Sequence, residues 1–169
     1  MGLPRVLKNF AVFGDGNNYR GEVPEVKLPT LSRKLEEYRS GGMNGPVGLD
    51  FGQEKMEAEI KAAGWIKGMA DKWGARTHDA NQLRFVGGIQ ADDDGAVIPV
   101  EVVMRGRLQE IDPGTAKAGD NTERTYKFHL SYYKEVVDGR VEIEIDLVNM
   151  VEIVNGVDNL AGMRAALGI

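Results

Sequence analysis

The chain has 169 residues, 42% hydrophobic and 28% charged, a balance that suits one globular domain over residues 1–169 and excludes a disordered or fibrous chain. It has no cysteine, which excludes a disulfide framework, a thiolate metal site and a cysteine nucleophile. A net charge of −5 excludes the basic surface with which nucleic-acid binders neutralise phosphates.

The opening MGLPRVLKNF has no apolar run ending in small residues, so no leader peptide is expected. No stretch approaches the ~18–20 apolar residues needed to span a bilayer. The 22 glycines follow no collagen-like period and point to many tight turns between short strands.

Val6 to Val23 reads as a hairpin around Gly14-Asp15-Gly16-Asn17-Asn18, whose Gly and Asn residues adopt the positive φ that such turns need. A phosphate-binding loop would require a helix next, but Tyr19, Gly21, Val23 and Pro24 are poor helix formers. Residues 26–39 and 47–62 read as two arms of a second, unusually long hairpin, although Leu31–Arg39 alone fits a helix equally well. Its tip is the breaker-rich run Ser40, Gly41, Gly42, Met43, Asn44, Gly45 and Pro46. In the second arm, Val47, Leu49 and Phe51 alternate with polar or small residues, and so do Met56, Ala58 and Ile60; the offset between the runs suggests a bulge. Alternation places Met56, Ala58 and Ile60 toward the core and Glu57, Glu59 and Lys61 away from it. The same parity puts Leu31 and Leu35 inward and Ser32, Lys34 and Glu36 outward. Arg33 and Glu37 share the leucine face and need partners there.

Trp65 to Gly74 has helical spacing, with Trp65, Ile66, Met69, Ala70 and Trp73 as a core-facing stripe. Leu83–Ala91 and Ala96–Leu108 form a hairpin around Asp92-Asp93-Asp94-Gly95. That acidic turn lacks the sixth-position glycine and flanking helices of an EF-hand. Pro99 suggests an edge or bulge in the return strand. A polar loop over 110–123 precedes a strand at Arg124–Val136, with Tyr126, Phe128, Leu130 and Tyr132 on one face and His129 opposite. Asp138-Gly139 turns into a strand carrying Val141, Ile143, Ile145 and Leu147. Val151, Ile153 and Val154 form a last short strand, followed by the turn Asn155-Gly156. Asp158 is placed to cap a terminal helix holding Leu160, Met163, Ala166 and Leu167, which Gly168 ends. The count of about eight strands and two short helices defines a mostly β chain, a barrel or sandwich of packed antiparallel sheets.

No motif for catalysis or cofactor binding stands out. His78 and His129 occur in no metal-ligand spacing, and no G-x-S-x-G elbow presents a nucleophile. No cofactor or metal is expected. A small-ligand-binding barrel would be monomeric around an apolar cavity.

Three stretches carry a resemblance: LPTLSRKLEEYRSGGMNGPV (Leu28–Val47), VEVVMRGRLQEIDPGTAKAGDNTE (Val100–Glu123) and EIDLVNMVEIVNGVDNLAGMRAALGI (Glu144–Ile169). Together they resemble the major tail tube proteins of contractile-tailed temperate phages and R-type pyocins, in colinear order and nearly end to end. That resemblance implies a non-enzymatic subunit of hexameric rings that stack into a hollow tube, with type VI secretion tubes as more distant kin. The long hairpins would line the lumen through Ser32, Lys34, Glu36, Glu57, Glu59 and Lys61, one net negative charge per subunit. The tip, Ser40–Pro46, would meet the next ring. The implied partners are other copies of the chain, a tail sheath, baseplate or initiator and terminator proteins, and a tape measure protein in the lumen. DNA would pass without specific binding, or ions would leak across a membrane in a pyocin-like particle. The implied location is the virion tail, after assembly in the host cytoplasm.

Overall fold

The computed structural model describes residues 2–169. In chain order its strands are β1 (Val6–Gly14), β2 (Asn17–Asn18), β3 (Glu25–Lys27), β4 (Arg33–Tyr38), β5 (Val47–Gln53) and β6 (Met56–Ala62). There follow β7 (Asn81–Gln90), β8 (Val97–Asp112), β9 (Arg124–Val137), β10 (Arg140–Asp146), β11 (Val151–Val154) and β12 (Val157–Asp158). A single helix among the described residues, α1 (Ala161–Leu167), closes the chain. Asp15-Gly16, Asp138-Gly139 and Asn155-Gly156 each hold positive φ at both positions, the geometry of a two-residue hairpin turn.

Ten strands form one antiparallel sheet in the order β12-β11-β10-β9-β8-β7-β1-β2, with β6 also paired to β9 and β3 to β6. The branch point is β9. Its residues 124–130 pair with β6 and its residues 132–137 pair with β10, both on the side away from β8. At Ser131 the β8 register jumps from Arg105↔Tyr132 to Gly106↔Leu130. This bulge lets the sheet fold over itself around one core. Tyr126, Phe128, Leu130, Met56 and Ile60 from one layer meet Val102, Met104, Tyr133 and Ile145 from the other, all buried. Phe10 and Phe85 stack at 5.3 Å. The interior is filled by side chains, the opposite of a ligand cavity.

Several expectations are revised. The bulge at Ser131 buries Tyr133 where strict alternation predicts Tyr132, and Tyr132 instead carries the Arg105 guanidinium 3.9 Å above its ring. Pro99 lies within a ladder, paired with Gly88, but at the point where β9 runs out: its carbonyl accepts the Asp138 N–H (2.9 Å). The segment 65–74 is a series of turns. Gly68 takes φ +87 close against Asn17 and Tyr19, and the Tyr19 hydroxyl donates to the Lys67 carbonyl (2.9 Å), so the helix cannot propagate. Met69 is buried, but Trp65 and Trp73 are exposed. The terminal helix buries none of its residues. Asp158 does not cap it directly; it accepts the Leu160 N–H (3.1 Å) and pairs with Arg164, while Gly168 in the left-handed region ends the helix as expected.

The two long arms are each broken in two. The first is interrupted between Lys27 and Arg33, where Pro29 offers no N–H, and the second between Gln53 and Met56. Gly52, at φ +109, makes the bulge in the second arm. The arms stay together across the break through the Glu54 N–H to the Ser32 carbonyl (2.8 Å). Thus β3 and β6 belong to the main sheet, and β4 and β5 continue beyond it as a two-stranded arm.

Candidate functional site: the projecting hairpin

The root of the hairpin is held by β6, whose residues alternate without exception. Met56, Ala58, Ile60 and Ala62 are buried, and Glu57, Glu59 and Lys61 lie on the opposite face, partly exposed. Charged groups crowd that outer face, although on β9 Glu57 lies directly opposite His129 and Lys61 opposite Thr125. Glu57 sits between Lys55 (3.2 Å) and Lys127 (3.3 Å). Lys61 bridges Glu25 (3.3 Å) and Glu123 (3.4 Å), and Glu59 lies opposite Lys27 and Lys127. The two ammonium groups, Lys55 foremost, hold the Glu57 carboxyl below the ordinary carboxylate range, and Glu25 raises Lys61 above the ordinary lysine range.

Leu31 packs against the core, and Arg33 turns the same way. Its Nε donates to Asp50 (2.9 Å), and its guanidinium pairs with Glu152 on β11. The partner that the sequence demanded for Arg33 is therefore this carboxylate pair. The Arg33 hydrogen bond pushes Asp50 below the ordinary carboxylate range. Ser32, Lys34 and Glu36 occupy the alternate positions and are exposed. Leu35 departs from expectation: it shares the Arg33 face but extends past the body and stays 61% exposed. No ion pair links Lys34 or Glu36 to Glu57, Glu59 or Lys61 among the described residues, so the six positions form two separate groups along the arm.

The register of the free arm pairs Glu36 with Leu49 and Tyr38 with Val47. Directly paired residues share a face, so the outward face has two rows. The β4 row is polar (Lys34, Glu36), while the β5 row is apolar (Val47, Leu49, and Phe51 at the bulge), with Tyr38 joining it near the tip. Phe51 is 57% exposed. The tip turns through Gly42 at φ +86 and a Met43 N–H to Ser40 carbonyl bond (3.2 Å). A side chain added at Gly41, Gly42 or Gly45 would point into open space. Sequence reasoning missed Lys27, Lys55 and Lys127 as part of the charged outer face, and missed that the apolar β5 row has no cover. The first was findable only with the strand register in hand; the second was written in the Val47-Leu49-Phe51 alternation.

Every residue of β4 is exposed, and the outer edges of β4 and β5 have no strand partner among the described residues. Open strand edges of this kind are templates for pairing with another chain. The family model described as phage tail tube protein FII matches residues 4–168, and the chain belongs to that family. It is a structural subunit of a tail tube. It is 42% identical to the tail tube protein of Escherichia phage P2, over all of both chains. It is 40% identical to the major tail tube protein of Serratia phage KSP20, over 89% of this chain and 88% of the relative. In fold it resembles a chain of the sheath-tube complex of an extracellular contractile injection system in its extended state. The TM-score is 0.59 at 10% identity, over 79% of this chain and 91% of the other. No helix among the described residues is long and apolar enough to cross a membrane.

Proposed function

We propose that six copies close into a ring, as one tube domain over residues 1–169, and that rings stack into a hollow conduit inside a contractile sheath. The observation that carries this reading is the projecting arm with both edges open. Edge-to-edge pairing of β4 of one copy with β5 of its neighbour removes the free edges by closing a barrel. Repetition of a head-to-tail contact then makes a filament. The lumen is lined by Ser32, Lys34, Glu36, Glu57, Glu59 and Lys61. Their support is the parity fixed on one side by buried Met56, Ala58 and Ile60 and on the other by Leu31 and Arg33. DNA passes this surface without being gripped, or ions leak through it in a capsid-free particle. A tape measure protein occupies it beforehand. The subunit performs no catalysis. It is assembled in the host cytoplasm, and the tube meets sheath, baseplate and terminator proteins. The sheath contact is supported by the fold shared with a chain of a sheath-tube complex.

The charge expectation changes with the register. Ser32, Lys34, Glu36, Glu57, Glu59 and Lys61 alone sum to one negative charge. Lys27, Lys55 and Lys127 against Glu25 and Glu123 add one positive, and Arg107 against Glu110 and Asp112 on the adjoining β8 adds one negative, so the outer face is a mosaic of mixed sign close to neutral. Such a surface offers phosphates no continuous stripe.

Negative-stain microscopy of the concentrated protein tests the reading: rings or hollow rods are expected, and monomers alone would sink it. Deleting Gly41–Gly45 removes a tip segment whose hydrogen bonds go only to Arg39 and Ser40 of its own hairpin. The variant should fold, with an unchanged unfolding midpoint, and give markedly shorter rods.

A further inference from the structure

Asparagine followed by glycine occurs at Asn44-Gly45 and at Asn155-Gly156, and both asparagines are exposed. Such a pair holds a reaction in reserve. The glycine backbone nitrogen can attack the asparagine side-chain carbonyl carbon, because glycine has no Cβ to shield that nitrogen. A new C–N bond closes a five-membered imide. The bond from the same carbon to the side-chain nitrogen breaks, and that nitrogen leaves as ammonia with the proton given up by the glycine nitrogen. Water then opens the ring at either carbonyl, giving aspartate or isoaspartate. Nothing is oxidised or reduced, and solvent water is the only co-reactant.

Ring closure requires the glycine nitrogen to swing toward the asparagine side chain, so the backbone decides which pair reacts. Asn155 is held at φ +52 and Gly156 at φ +77 in a two-residue turn. Its flanks are laddered, Val154 with Val157 and Ile153 with Asp158, and β11 is paired along its length with β10. The Asn155 N–H also donates to the Glu142 carbonyl (3.1 Å). Reaching the reactive shape means opening this hairpin, and the loss of two or more ladder bonds makes that shape rarer by about tenfold or more.

Asn44-Gly45 is the opposite case. It lies between β4 and β5, outside both strands. The hydrogen bonds of the tip join Met43 to Arg39 and Ser40, and Ser40 to Gly41. Neither Asn44 nor Gly45 takes part in any hydrogen bond among the described residues. A Cβ added at Gly45 would meet nothing, so no neighbour holds the glycine in place either.

We propose that Asn44 is a site of spontaneous deamidation in the free subunit and that stacking of the next ring protects it. The reaction stands on the geometry of the tip alone, while the protection rests on the tube reading above. The product adds a carboxylate to the tip and, as isoaspartate, lengthens its backbone. Subunits that wait unassembled therefore become poorer at stacking.

The free subunit is held in warm, mildly alkaline buffer and its peptides are followed by mass spectrometry. Asn44 should convert about tenfold or more faster than Asn155, and the two rates should converge in denaturant. Gly45→Ala should largely abolish conversion at Asn44 and leave the unfolding midpoint unchanged, since the new Cβ lies in open space. In rods, Asn44 should be slowed relative to the free subunit. Asn44→Asp should give shorter rods from a subunit of wild-type stability. Equal rates at Asn44 and Asn155 in the folded subunit, or conversion at Asn44 that Gly45→Ala does not slow, would overturn the site. Conversion at Asn44 as fast in rods as in free subunits would leave the site standing and overturn its protection, and with it the placement of the tip against the next ring.

Discussion

The root half and the free half of one hairpin carry the same alternation and meet opposite fates. In β6, every second residue is sealed in the core. In β4, all six residues are exposed, and in β5 Val47, Leu49 and Phe51 alternate as cleanly as Met56, Ala58 and Ile60 yet remain in the open. The cause is the neighbour: β6 lies on β9, while β9 bends away at Ser131 and leaves β5 without support. Period-two patterning thus reports that a face will be buried, but not by which chain.

The largest expected effect sharpens this contrast. Phe128 is wholly buried between the layers, and Phe128→Ala should lower the unfolding free energy of the free subunit by about 3–5 kcal/mol in urea denaturation. Phe51→Ala removes the same side chain from the free arm. It should move the monomer by no more than about 0.5 kcal/mol, the range of exposed substitutions, while impairing assembly. Equal effects on the monomer would mean that β5 is covered within its own subunit.

This contrast also marks how far the sequence could be read. The turns at Asp138-Gly139 and Asn155-Gly156, the β6 parity and the β7–β8 pairing were legible, because glycine-containing turns and strict alternation are local signals. The fate of Tyr132 was not, since the bulge at Ser131 arises from the competition of β6 and β10 for one side of β9, a contest between residues far apart in sequence. Trp65 and Trp73 misled for a related reason. Helical spacing and large apolar rings suggest a core stripe, but Gly68 and the Tyr19 hydroxyl stop the helix, and Trp65 is left exposed. The family resemblance supplied what the pattern could not, the presence of other copies.

A smaller effect concerns the joint between the halves. Arg33 ties the arm to the body by reaching both Asp50 and Glu152, so the arm's direction depends on a charge contact at its root. Asp50 has a depressed pKa, because its carboxylate is stabilised by the Arg33 hydrogen bond. The contribution is therefore complete above the ordinary carboxylate range and is lost as pH falls through the depressed value. Hydrogen exchange of β4 and β5 amides in the monomer should stay constant from neutral pH down to that range, after correction for intrinsic rates, and rise below it. In Arg33→Ala the arm should exchange faster at neutral pH and show no acid step. β6, whose own acid-sensitive pair is Glu57 with Lys55 and Lys127, should respond alike in both proteins. A step that persists in Arg33→Ala would place the acid-sensitive contact elsewhere.

The smallest effect should come from the charges of the root half. Glu57 is pinned by Lys55 and Lys127, so reversing it would gather three ammonium groups and report on folding as much as on transit. Glu36 and Glu59 are better probes: Glu36 is exposed, and Glu59 keeps Lys27 and Lys127 only as cross-strand neighbours. Glu36→Lys with Glu59→Lys should leave rods intact and turn the mixed-sign mosaic into a positive band, repeated in every subunit. Phosphates would then be attracted over a screening length of about 10 Å at 0.1 M salt and about 30 Å at 0.01 M. In a particle carrying this tube, DNA release should be slowed at low ionic strength and near normal at physiological salt. A parallel variant with the charges added on the Leu35 face, Leu35→Lys with Gly48→Lys, tests the sidedness, since on the proposed geometry those lysines lie away from the lumen and should not slow release. Slowing by the second variant and not the first would reverse the face of β4 and β5 that looks into the conduit.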